Sequence, residues 1–131
     1  MGEEDNIELI ARGHYVSKGS LKYLIYREYV GSSTQNYNLC IVKIENDNLV
    51  TLTKRGKQQI KLVLEKDKKH DSPYYTDYGV LMMSIFTHDI ESNCTEKKGK
   101  INIKYSLDVN SNFVNMISIV IEYKQLKSEE E

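Results

Sequence analysis

Hydrophobic residues recur along this chain with a period of two, in short runs broken by turn-forming residues. Ile7, Leu9, Ala11, Gly13 and Tyr15 alternate with Glu8, Arg12 and His14. Ile101, Ile103, Tyr105, Leu107 and Val109 alternate with Lys100, Asn102, Lys104, Ser106 and Asp108, and Ile117, Ile119, Ile121 and Tyr123 follow in the same way. Side chains of an extended strand point to opposite faces in turn, so each run predicts a strand with one apolar face. Similar runs occupy Tyr23 to Tyr29, Leu39 to Ile44, Leu49 to Lys54 and Ile60 to Glu65. Lys18-Gly19-Ser20, Gly31 to Thr34, Asn46-Asp47-Asn48, Arg55-Gly56 and Asn110-Ser111-Asn112 separate them with turn chemistry. Lys66 to Ser72, before Pro73, and Glu91 to Gly99 are polar and read as loops.

The longest uninterrupted run, Tyr74 to Ile90, changes phase at Gly79. Tyr74, Thr76 and Tyr78 share one face before the glycine; Leu81, Met83 and Ile85 carry the apolar face after it. A glycine within a strand accommodates such a bulge at low cost, so the run predicts one long strand bent at Gly79. Eight regularly spaced strands without a sustained helical period predict an all-β fold. Sequential hairpins favour an antiparallel up-and-down β-barrel.

Composition narrows this reading without changing it. The 131 residues fit one domain, with the barrel at about 7–125 and an acidic tail at 127–131. Ten tyrosines, one proline and no tryptophan suit strands. Apolar runs fall short of the roughly 20 residues of a membrane span, and the acidic start is unlike a secretion signal, so a cytoplasmic protein without membrane contact is expected. Cys40 and Cys94 lack metal-ligand spacing and read as reduced thiols. A net charge of −1 offers no global attraction to nucleic acid.

Several blocks together resemble the YwiB-like family of uncharacterised bacterial proteins. They are Tyr74-x-Thr76-x-Tyr78-Gly79-x-Leu81, Tyr23-Leu24-x-Tyr26-x-Glu28, the basic residue and glycine within Lys54 to Gly56, and Gly99-x-Ile101-x-Ile103-x-Tyr105-x-Leu107. The resemblance runs from Ile7 onward and implies a lipocalin-like, or calycin, barrel with no assigned activity. Two departures stand out. The family begins one strand earlier than Ile7, and lysine occupies position 54 where the family carries arginine. An absent first strand would leave the strand from Ile7 or from Phe113 with an open edge, and a homodimer through that edge is expected.

The candidate site follows from strand phase. Glu28 shares a face with Tyr26 and Leu24, and Lys54 with Val50 and Leu52, so both charges can point inward. A buried carboxylate needs a partner, and Lys54 is the natural one. With Tyr78 and Tyr105 they form a candidate binding site for a small, partly apolar ligand in the barrel. The ordinary alternative is a structural ion pair. His14, His70 and His88 lack metal-ligand spacing, no serine lies in a nucleophile motif, and no phosphate loop is present. Tyr74, Tyr75 and Tyr78 near Lys66, Lys68, Lys69 and His70 would suit single-stranded nucleic acid, against the charge argument above. The expectation is therefore a protein without catalytic residues, metal or cofactor: a ligand-binding barrel, or a structural or protein-interaction module with a filled interior.

Overall fold

The structure, a computed structural model, describes residues 11–32, 35–46, 48–57 and 59–126. Nine strands follow in order: β1 (Gly13–Lys18), β2 (Leu21–Tyr29), β3 (Tyr37–Asn46), β4 (Leu49–Arg55), β5 (Ile60–Glu65), β6 (Lys69–Thr76), β7 (Gly79–Cys94), β8 (Lys98–Val109) and β9 (Asn112–Lys124). No helix occurs among the described residues. The acidic tail at 127–131 lies outside them, as do residues 7–10 of the expected strand from Ile7. Its end is seen as β1.

The strands form two antiparallel meanders, β1-β2-β3-β4-β5 and β6-β7-β8-β9, here termed sheets A and B. This corrects the expectation of eight strands in one barrel: among the described residues no ladder joins the sheets into a closed cylinder. On one side they meet through an isolated parallel bridge, Lys66 with Thr87. On the other, Tyr15 of β1 stacks on Tyr123 of β9 with ring centroids 5.6 Å apart, and Lys22 Nζ donates to the Cys94 carbonyl at 2.7 Å.

The error lies in the run from Tyr74 to Ile90. It contains a hairpin, not a bend, with Asp77 and Tyr78 at the tip and Thr76 paired to Gly79. Thr76 Oγ1 donates to the Gly79 carbonyl at 2.8 Å and accepts from the Tyr78 amide at 3.1 Å. Gly79 supplies a φ of +130°, which a side chain rarely tolerates. The chain before it folds back as β6, turning most of the expected Lys66–Ser72 loop into strand. Pro73 is accommodated because β6 is the sheet edge, where a missing donor costs no central ladder bond.

A change of phase does occur in this region, nine residues later. The register of β7 against β8 shifts between Thr87 and Asp89, leaving His88 as the extra residue. Ile85 and Thr87 face inward before it, Ile90 and Cys94 after it. Glu91 to Cys94, expected in a loop, thereby continue β7, and the turn shrinks to Thr95 to Lys97.

Between the sheets lies a filled core. Leu24, Val42, Ile44, Val50 and Leu64 from sheet A meet Ile85, Ile90, Ile101, Ile103 and Tyr105 from sheet B, all buried. Each pair of sheets packed this way buries its alternate residues and exposes the rest, which is the period-two pattern of the sequence. Cys40 and Cys94 are buried free thiols, one on each sheet.

Candidate functional site

The inner face of sheet A turns polar at one end. Cross-strand register places Tyr26, Cys40, Lys54 and Ile60 in one row, and Glu28 opposite Asn38 in the next. The row before these, Leu24-Val42-Leu52-Leu62, is aliphatic throughout, and the one before that, Lys22-Ile44-Val50-Leu64, is aliphatic from β3 to β5. The cross-strand register carries the period-two phase from β2 through β3 to β4, which is why Glu28 and Lys54 arrive on one face.

They also meet. Lys54 Nζ lies 2.9 Å from Glu28 Oε1 and 3.2 Å from Oε2, and Asn38 Nδ2 donates to Oε1 at 3.2 Å. Glu28 and Lys54 side chains retain 30% and 27% exposure, whereas Asn38 retains 1%. The carboxylate is therefore at the rim of the core, anchored from below by a buried amide. The Lys54 hydrogen bond lowers the Glu28 pKa; burial opposes it as the next influence, and the Asn38 hydrogen bond assists the lowering. Tyr26 is pushed up to about 12, first by burial, then by the Cys40 thiol and the Glu28 carboxylate nearby. Burial likewise raises the Cys40 thiol, with Glu28 adding and Lys54 opposing.

Gly56 completes this corner. A Cβ there would lie 2.5 Å from the Tyr37 carbonyl oxygen and 3.0 Å from Asn38 Oδ1, at a φ of +137°. Glycine at 56 thus lets the β4 end close over Asn38 while Lys54, two residues earlier, reaches Glu28. Sequence reasoning missed Asn38 because the strand was begun at Leu39. The available signal was its phase with Cys40, Val42 and Ile44.

The other two candidates do not join the cluster. Tyr78 sits at the β6–β7 hairpin tip, fully exposed, because the run that carries it turns back instead of continuing inward. Tyr105 belongs to the opposite sheet, 6% exposed, where burial raises its pKa. It pairs across strands with Thr87, whose buried hydroxyl has no hydrogen-bond partner. Three of the four basic residues near the tyrosine-rich hairpin, all but Lys69, are also committed elsewhere. Lys68 and His70 contact Glu65 at 3.4 and 2.8 Å, which lowers the Glu65 pKa, with His70 the larger influence, and Lys66 lies 3.7 Å from Asp89. Among the described residues no three His, Cys, Asp or Glu gather as a metal site, and no helix is long and apolar enough to cross a membrane.

The corner can hold a proton-stable ion pair and a hydrogen-bonded amide. Both Glu28 oxygens accept hydrogen bonds from within the protein, and 30% of the side chain stays exposed at the rim.

Comparison with known proteins adds a family and a fold. A family model described as Domain of unknown function (DUF1934) matches residues 1–121. No curated protein matches. Among solved structures, the crystal structure of the YwiB protein from Bacillus subtilis is similar, with a TM-score of 0.67 and 23% identity. The alignment covers 87% of this chain and 75% of that one.

Proposed function

The chain belongs to the family of Domain of unknown function (DUF1934), and from that membership and the geometry above we propose a non-enzymatic protein-interaction module that pairs with a second copy of itself. The observation that carries this reading is β9. It is thirteen residues long, forms an edge of sheet B among the described residues, and exposes Phe113, Val114, Met116 and Val120. An edge strand presents a row of unpaired amides and carbonyls, a template for another strand unless charge, proline or a bulge blunts it. The charges of β9, Glu122 and Lys124, are at its far end, and it contains no proline. Two copies meeting antiparallel through β9 would form a two-fold contact and one continuous sheet.

The packed interior supports a module over a carrier, because aliphatic side chains fill the space a ligand would need. The ligand reading, with Tyr26, Glu28 and Lys54 at the head group, would need Glu28 to share a carboxylate that already accepts from Lys54 and Asn38. Its check is native mass spectrometry for a co-purified small molecule. Two buried free thiols suit a reducing compartment, so the proposed location is the cytoplasm.

Light scattering coupled to size exclusion tests the pairing. The protein should run as a dimer, and Val120→Lys combined with Met116→Lys should convert it to a folded monomer. A monomer at high concentration would overturn the proposal. It would favour instead a calycin-like barrel closed at the seam where Tyr15 and Tyr123 stack.

A further inference from the structure

Although the whole chain is close to neutral, cations gather on the outward face of sheet A. Register places Tyr23-Lys43-Thr51-Val63 in one row, Ile25-Ile41-Thr53-Lys61 in the next, and Arg27-Leu39-Arg55 beyond it. A trough of about 390 Å³ follows these rows, lined by Tyr23, the two threonines, Lys43, Arg55 and Lys61, with Glu45 its single carboxylate among the described residues. Among the described residues Lys43, Arg55 and Lys61 have no ion-pair partner. Three cations held over one sheet face repel one another, and an anion bound there would relieve the repulsion. Beside the trough, the Arg27 guanidinium lies 4.5 Å from the Tyr37 ring centre, and Tyr37 packs at 5.9 Å against half-exposed Tyr29.

We propose that the outward face of sheet A binds single-stranded nucleic acid, with phosphates along Lys43, Arg55 and Lys61 and bases against Tyr23 and the Arg27–Tyr37 pair. Cations interleaved with aromatic rings on an open sheet face are the arrangement that takes unpaired bases by stacking and the backbone by charge. An acidic peptide would use the cations but would gain little from the rings. Tyr23 shares its row with Lys43, so a base and its phosphate can be engaged within neighbouring strands about 4.8 Å apart.

Fluorescence anisotropy of the full chain with labelled twelve-nucleotide oligo-U and oligo-dT tests this. Binding should appear at 50 mM salt and weaken roughly 15- to 20-fold by 200 mM, the change for three phosphate contacts on a single strand. Lys43→Glu with Lys61→Glu should weaken it at least about tenfold. Tyr23→Ala, at unchanged charge, should weaken it at least about fivefold through lost stacking. Lys98→Glu with Lys100→Glu, the same charge change on sheet B, should leave affinity within about twofold, since these contacts lie a sheet away. Thermal melts by circular dichroism confirm that each variant is folded. Absence of binding at 50 mM salt overturns the proposal. So does equal loss with the sheet B variant, which would mean non-specific attraction. Equal binding of a labelled poly-glutamate peptide with no effect of Tyr23→Ala would assign the face to an acidic protein segment instead.

Discussion

Glu28 shows how burial grades the worth of one ion pair. A fully buried pair stripped of one charge costs about 3–5 kcal/mol, while exposed pairs contribute about 0–1 kcal/mol. With nearly a third of each side chain in solvent, Glu28 and Lys54 belong near the second class. Glu28→Gln should therefore destabilise the protein by about 1 kcal/mol, read from urea midpoints at pH 7. Its pH dependence has a definite sign. The folded carboxylate has the lower pKa, so the stabilisation is complete above the unfolded value of about 4.3 and is lost as pH falls through the folded value. The gap between wild type and Glu28→Gln should close on acidification below about pH 4, and a gap that persists at pH 2 would mean the charge is not its source. The sequence placed these two residues on one face by counting in twos. It did not place Asn38 beneath them, because the strand that holds it starts earlier than its apolar run.

At the scale of elements, turns decide more than strands. The β8–β9 hairpin closes through Asn110 and Ser111 with φ of 49° and 69°, the two left-handed residues of a type I′ turn. Asparagine tolerates that conformation and serine does less well. Ser111→Gly should stabilise the protein by about 0.5–1 kcal/mol in urea unfolding, the strain relieved being partly offset by the greater freedom of the unfolded chain. A destabilised variant would show that the serine side chain contributes at the turn. This hairpin was legible, since Asn-Ser-Asn separates two cleanly alternating strands. The β6–β7 hairpin was not, because Thr-Asp-Tyr-Gly lies inside an apolar run, and a bulge and a two-residue turn both leave a glycine between segments of opposite phase. The true bulge at His88 carries no glycine to mark it.

For the whole molecule, the tyrosines that fill the space between and beside the sheets set an alkaline limit. Burial raises the pKa of Tyr26, to about 12, and also those of Tyr105 and Tyr123. A phenol that keeps its proton in the folded state while the unfolded chain releases it near pH 10 contributes stability below that value and loses it as pH rises further. Denaturation midpoints should thus fall progressively above about pH 10, with the last part of the rise in tyrosinate absorbance at 295 nm coinciding with unfolding. Tyr26→Phe should flatten part of the decline. Ionisation of all the tyrosines well before unfolding would show that these three are not protected. The same filled interior is what turns attention from a cavity to the surfaces, the β9 edge and the cationic face of sheet A.

The sequence by itself determined the secondary structure class, most strand positions and the inward phase of Leu24, Tyr26, Glu28, Val50, Leu52 and Lys54, because alternation is a property of a few consecutive residues. The family pattern was carried by the same local blocks. Only the tertiary structure decided that Tyr74 to Ile90 is two strands, that the described strands make two sheets, and that Tyr105 faces Glu28's sheet from the other side while Tyr78 stands in solvent. Those outcomes rest on which strand pairs with which, and pairing joins residues far apart in the chain. The cationic face belongs to the same class: Tyr23, Lys43, Arg55 and Lys61 come from four strands, and nothing in their order along the chain says that hydrogen-bond register will set them side by side.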